Sequence, residues 1–395
     1  MSIFLQWPRC LVFVMLISLA SVSAVFCTPA LPELARVFHL TASQNQWVMS
    51  LYLWGYAIGP LCYGPIANKI GRKKTIFIGI SVCLLGTFIS LFADASYTLF
   101  CLGRFLQAVG ASVGFKIVFT MIGDLETGAQ AAKTFTWMFL GNAIIPSITV
   151  AIGGLLTTAF GWKGCFVFLA LYSAALLWMC RSLPETAKVL QPDALALKRI
   201  AQGYLEQFKN RSLVIYGLLA GVGTSMLYVF ANEAPYLAID WMKLSPDTYG
   251  FFNLFLPLGM ASGLMSANAI ARHVKKLGVL LFLGLAPIGL AVCAMAVLFG
   301  AHWYTGWSLF LPQLLMLFGV FFMGPFLAAQ FLSDAVDKSN ASASFQFINL
   351  GFTALATMLF GAWLPKTPFA FCSAFVALAV CLAWLCVRAL SFRPR

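Results

Sequence analysis

Repeated apolar runs of membrane-crossing length constrain this chain more than any other feature. Runs bounded by charges or turn-forming residues lie near 8–28, 45–66, 75–93, 98–119, 134–156 and 164–181. A second set lies near 213–232, 250–271, 277–297, 307–330, 344–363 and 369–388. A helix crosses the hydrocarbon core with roughly 20 apolar residues, and only helices or closed barrels satisfy their backbone in lipid. The pattern therefore predicts an all-α membrane protein of twelve transmembrane helices. Composition agrees: of 395 residues only 9% are charged and 61% are hydrophobic, against about 25% charged in a soluble domain. The first run, with Arg9 and the small residues from Ser21 to Ala24, has features of a cleaved signal. More spans follow at once and its loss would leave an odd helix count, so a retained first helix is expected.

The eleven cysteines lie almost all inside apolar runs, with no CxxC pair and no histidine cluster beside them. Metal-ligand spacing is missing, so they read as small hydrophobes and no metal site is expected. The cations carry a different message. With the N-terminus inside, nineteen of the 25 Lys and Arg residues fall on the cytoplasmic side. Arg36, Lys163, Lys243 and Lys366 fall outside, and Arg104 and Lys116 remain within a span. Positive charge accumulates in cytoplasmic loops, so both termini are expected in the cytoplasm of a bacterial inner membrane. The net charge of +13 is then a topology signal, and a nucleic-acid partner is not expected.

The longest polar loop, near 182–212, divides the chain into a first bundle at 1–186, a linker at 187–211 and a second bundle at 212–395. A faint repeat supports the division. Gly55, Ala57, Gly59, Ile66 and Ala67 recur as Gly259, Ala261, Gly263, Ile270 and Ala271. In both places a glycine-bearing helix runs into a basic turn. Parallel halves with a site between them near the midplane are a transporter architecture.

The motifs point the same way. Gly64-Pro-Ile-Ala-Asn-Lys-Ile-Gly-Arg-Lys-Lys74 resembles the loop between the second and third helices of major facilitator transporters, with Asn68 where an aspartate is usual. Arg104-Phe-Leu-Gln-Ala-Val-Gly-Ala111 resembles the fourth-helix motif of their drug:proton antiporter branch. Asp124-Leu-Glu-Thr-Gly-Ala-Gln-Ala-Ala-Lys133 resembles a stretch of the Bcr/CflA-like subfamily, with Gly123 in place of its arginine. Pro146, Gly153 and Gly154 match the fifth-helix antiporter motif, whose second proline is replaced by Val150. Leu183-Pro-Glu-Thr186 after the sixth helix also fits. The resemblance implies two pseudo-symmetric six-helix bundles of the major facilitator fold. It also implies proton-linked export of drugs or small metabolites by alternating access, with no cofactor beyond the proton gradient and a monomer as the working unit.

Ionisable residues inside a bilayer are the first functional candidates. Arg104 either bonds carbonyls of neighbouring helices or, by resemblance, senses protonation. Lys116 either snorkels to the inner interface or contacts an anionic substrate. Glu33 and Glu233 are the carboxylates open to proton coupling, although both read more readily as exposed rim residues. Tyr52, Tyr56, Asn142, Tyr228, Asn232, Gln330, Gln346 and Asn349 are uncharged cavity candidates. Gly64, Asn68, Gly71, Arg72 and Asp124 form the expected conformational latch, in which Asp124 meets Gly71-Arg72. A transporter of an anionic metabolite, such as a siderophore or polycarboxylate, is the second reading. It draws on Lys116 and on the lack of a carboxylate in the first helix before Glu33. No nucleophile–base pair or phosphate loop supports an enzyme.

Overall fold

Lipid leaves the backbone of each apolar run no partner but itself, and the runs are helical. The computed structural model describes residues 3–391 except 127, 188, 272, 275, 334–337 and 364. The basic residues Lys188, Arg272, Lys275, Arg393 and Arg395 lie outside the described residues, as do the side chains of Lys133, Arg199 and Lys338. No strand occurs among the described residues.

The first span is Ile3–Val25, the second Trp47–Ile70 and the third Arg72–Leu91. The fourth is broken at Ser112 into Tyr97–Ala111 and Val113–Leu125. Gly128–Met179 holds the fifth and sixth spans, which fold against each other at Gly161, where φ is 68°. After the linker come Arg211–Pro235, then Pro246–Asn253 with Leu256–Ile270 as the eighth span. Leu277–Gly300, Gly306–Ser333, Lys338–Trp363 and Pro368–Ser391 complete the set. By length and hydropathy alone ten stretches qualify as spans among the described residues. The difference from twelve has two causes. The stretch Leu140–Ser182, 43 residues long, contains two crossings, and Trp47–Ile70 is diluted by tyrosine, tryptophan, glycine and proline.

A 3-10 turn at Thr28–Ala30 leads from the first span into the helix Leu31–Val37. Two details differ from the sequence expectation. The seventh span continues past Pro235 as a π-helical turn, Tyr236–Trp241. The linker contains an amphipathic helix, Leu197–Lys209, whose Tyr204 hydroxyl donates to the Leu61 carbonyl at 2.9 Å.

The glycine repeat has a packing cause. In a membrane, small residues let helix backbones approach closely. A Cβ on Gly55 would lie 2.5 Å from the Phe105 carbonyl oxygen, and one on Gly59 would lie 2.9 Å from that of Val109. In the second set of spans, a Cβ on Gly259 would lie 2.2 Å from the Leu314 oxygen, and one on Gly263 would lie 2.3 Å from that of Phe318. The repeated glycines thus occupy the same joint twice, second span on fourth and eighth span on tenth. All eleven cysteines are unpaired.

Candidate functional site

Alternating spans put the odd-numbered loops at one end and the basic loops at the other, here called the far end and the basic end. Arg104 sits toward the far end, fully buried. Its Nη1 donates to the Ser23 carbonyl at 2.8 Å and to Gln107 Oε1, and its Nη2 donates to the Ala24 carbonyl at 3.3 Å. Ser23 and Ala24 end the first span, where unsatisfied carbonyls carry the negative pole of the helix dipole. The guanidinium carbon also lies 4.4 Å from the centre of the Tyr52 ring. Tyr52 in turn bonds Ser23 Oγ at 2.5 Å and the Ala20 carbonyl at 2.7 Å. Gln107 Nε2 donates to Thr87 Oγ1 at 2.9 Å. Arg104 therefore ties the fourth span to the first through carbonyls, the first of its two expected roles.

At the basic end, Gly71 separates the second and third spans with φ at 98°. Arg72 Nε lies 3.5 Å from Asp124 Oδ2, the pairing expected of the latch. Asn68 keeps an acceptor without a charge: its Oδ1 takes a bond from Arg72 Nη1 at 2.8 Å. The residue that sequence reasoning passed over is Glu185. Its carboxylate caps the third span, accepting from the Arg72 N–H at 2.8 Å and the Lys73 N–H at 3.1 Å. It also accepts from the Thr186 and Ala187 N–H groups, both at 2.9 Å. A Cβ on Gly71 would lie 2.5 Å from Glu185 Oε2, so glycine is required there both for its φ and for room. Partial burial works against ionisation of Glu185, but the four backbone N–H groups outweigh it and hold the carboxyl below its ordinary value. A depressed carboxyl contributes stability that is complete above its unfolded value and is lost as pH falls through the folded one. Closure of this end is therefore expected to be unchanged from pH 8 to pH 6 and to loosen only below the ordinary carboxylate range. Glu185→Gln should be loose throughout. Hydrogen exchange of the Arg72 and Lys73 amides against pH checks both.

At the far end a polar chain crosses between the two sets of spans. Asn232 Nδ2 donates to Gln46 Oε1 and, at 2.9 Å, to Glu233 Oε1. Glu233 Oε2 pairs with Lys366, whose ammonium lies 4.9 Å from the Tyr236 ring centre. The Glu233 side chain is only 11% exposed, so it is not the open rim carboxylate expected from its position. Close backbone contact reinforces the crossing: a Cβ on Gly154 would lie 2.4 Å from the Pro246 oxygen, and one on Gly250 would lie 2.9 Å from the Ala151 Cα. Glu33 is drawn to the fold at Gly161, where a Cβ would meet its Oε1 at 2.8 Å, and it takes a bond from the Trp162 backbone N–H.

Below this closure lies a cavity of about 70 Å³ among the first, fifth, seventh, eighth and tenth spans. Its polar lining is Ser21, Thr28, Asn142, Ser147, Tyr228 and Asn253, with Pro146 and Val150 among the apolar walls. Ser21 Oγ donates to Asn142 Oδ1 at 3.1 Å. A drug-sized ligand needs about 300 Å³ or more, so loading requires the walls to part. Of the sequence candidates, Asn142 and Tyr228 line this space. Asn232 belongs to the far-end chain instead, and Gln330 is half-buried near the basic end of the tenth span, outside the cavity lining. Lys116 does not reach the cavity lining either: a Cβ on Gly64 would lie 3.5 Å from its Cε. Gly153 packs within the first set of spans, where a Cβ would lie 2.2 Å from the Phe26 oxygen.

Sequence comparison identifies this arrangement. The family model of the Major Facilitator Superfamily matches residues 11–361. The chain belongs to the Major Facilitator Superfamily. As a facilitator it is a multi-pass membrane transporter of small molecules and not an enzyme. It is 30% identical over 292 residues to an uncharacterized transporter of Rickettsia bellii (strain RML369-C), covering 72% of this chain and 70% of that one. It is 27% identical over 319 residues to Multidrug resistance protein D of Escherichia coli (strain K12), covering 80% and 78%. It is 26% identical over 284 residues to Multidrug resistance protein MdtL of Vibrio parahaemolyticus serotype O3:K6 (strain RIMD 2210633), covering 70% and 68%. The facilitator fold is shared with a crystal structure of a D-xylose-proton symporter: TM-score 0.76 at 14% identity, covering 95% of this chain and 97% of that one.

The facilitator's anionic-metabolite reading loses its footing here. Lys116 lies away from the cavity that it would have to charge, and the relatives' names lend that reading no support.

Proposed function

We propose that this facilitator exports drugs or related small molecules in exchange for protons, by alternating access between bundles at 1–186 and 212–395 joined by the linker 187–211. The observation that carries the reading is the 27% identity to Multidrug resistance protein D across 80% of the chain. The proposed setting is a bacterial inner membrane with both termini in the cytoplasm, which follows from the cation bias between the two ends. The proposed working unit is a monomer with the proton gradient as energy source.

In this reading the cavity is the substrate site, and Asn142 and Tyr228 supply its hydrogen bonds. The Arg72–Asp124 pair is the latch of the basic end. Expression in a bacterial strain stripped of its own exporters should raise drug tolerance, and deletion in the native host should lower it. An unchanged susceptibility panel in both strains would count against drug export. Asp124→Asn should speed opening of the basic end several-fold, read by fluorescence quenching of a label on the linker. Unchanged opening would remove the latch.

A further inference from the structure

The first span carries no carboxylate before Glu33, and Glu33 is taken up by the fold at Gly161. Among the described residues, no acid lines the cavity between the two ends. Glu233 is placed differently. It sits on the seventh span, three residues beyond Phe230 and two beyond Ala231, which line the cavity. A crevice of about 10 Å³ opens beside it, lined also by Leu237, Phe360, Pro365, Lys366 and Thr367. That is about the space one water needs.

We infer that Glu233 is the proton-binding group of the exchange and that Lys366 and Asn232 convert its charge into closure of the far end. The inference rests on the proton-linked reading above. Ionised, Glu233 holds Lys366 and the Asn232 amide, and Asn232 is thereby aimed at Gln46, the residue that precedes the second span. When a proton adds to Glu233 Oε2, the carboxylate charge is gone. Lys366 then keeps its own charge against a neutral acid in a half-buried site, which is costly. Hydration of Lys366 removes that cost and frees the crossing between Asn232 and Gln46. As the far end closes again Oε2 gives the same proton to water in the crevice, which passes it as hydronium to water of the cavity bordered by Phe230 and Ala231, and Lys366 re-pairs. No other reactant is needed.

The groups facing Glu233 are few. Lys366 comes from the turn before the twelfth span. Tyr236 and Asp240 come from the continuation of its own helix, where both acids act on the buried Tyr236. The eleventh and twelfth spans present Phe360 and Phe371, and the residue before the second span is the neutral Gln46. Lys366 is the cation that Glu233 pairs with among the described residues.

The test uses the full chain in sealed proteoliposomes, with protons as the ligand and a membrane-impermeant maleimide as the probe. Ser147→Cys places a thiol in the cavity, and labelling from the far side is followed by mass spectrometry against the native cysteines. On the unmodified Glu233 background, labelling, expressed throughout relative to that of free cysteine at the same pH so that the changing thiolate fraction cancels, should rise about tenfold as outside pH falls from 8 to 5. Glu233→Gln keeps the shape and removes the charge, and should label at the high level at every pH. Lys366→Met should move the midpoint to higher pH by about one unit. A pH response that persists in Glu233→Gln, or no pH response on the Glu233 background, overturns the inference. A response lost in Glu233→Gln supports it. If that holds while no drug accumulates against its gradient, the proton site stands and drug export falls.

Discussion

Arg104→Ala is expected to destabilise the fold by about 3–5 kcal/mol and to abolish transport. The cation is fully buried, and its removal strands three acceptors: the Ser23 and Ala24 carbonyls and Gln107 Oε1. Each buried acceptor left unpaired costs about 1–3 kcal/mol. Tyr52 loses the cation over its ring as well, a contact worth about 2 kcal/mol when desolvated. Arg104→Lys should recover only part of the loss, because a point ammonium cannot fork between two successive carbonyls and an amide. SDS-induced unfolding in mixed micelles measures the difference. A melting profile of Arg104→Ala equal to the parent's would remove the staple between first and fourth spans.

Gly154→Val is the second large effect, and it acts on motion instead of folding. Even one carbon on Gly154 would approach the Pro246 oxygen to 2.4 Å and the Asp247 Cα to 3.2 Å. Both belong to the eighth span, across the crossing from the fifth. Valine adds two more carbons, so the far end cannot close as described, while neither set of spans is disturbed internally. We expect protein that folds and inserts normally, stays open at the far end and transports at least a hundredfold more slowly. Gly153→Val is the contrasting neighbour. Its Cβ meets the Phe26 oxygen at 2.2 Å within the first set of spans, so it should reduce stability. Spin-label distances between the fifth and eighth spans, set beside expression level, separate the two. Closed-state distances in Gly154→Val would show that the close approach does not govern the far end.

Much of the architecture was legible because hydropathy and charge act locally. Twelve runs, a basic end and a glycine repeat are properties of neighbouring residues, and each reappears in the helices, the loops and the twin joints at Gly55–Gly59 and Gly259–Gly263. The Arg72–Asp124 pair was legible for a related reason, since two opposite charges at the same end of adjacent spans have few other partners. Glu185 was not legible in that role. It lies 113 residues from Arg72, and what it binds is backbone N–H, which no side-chain pattern records. Leu183-Pro-Glu-Thr186 marked the place without the task. The far-end chain was hidden differently. Asn232 read as a cavity residue, Lys366 as an outer-side cation and Gln46 carried no signal, and only the approach of two separate sets of spans turns them into one path. The break at Ser112 falls among the small residues Gly110, Ala111 and Gly114, where a helix kinks easily.

The uncharged lining of the cavity has an electrical consequence. Its polar groups are hydroxyls and amides, and no ionised side chain lines it among the described residues. A cargo that such walls hold without a countercharge is itself best neutral. Under the proposed exchange, a neutral cargo leaves and a proton enters, so each cycle moves one net positive charge inward. Membrane potential then drives export directly, by about 2.3 kcal/mol for each 100 mV, even when the pH is equal on both sides. A cell that keeps its voltage but loses its pH gradient would continue to pump.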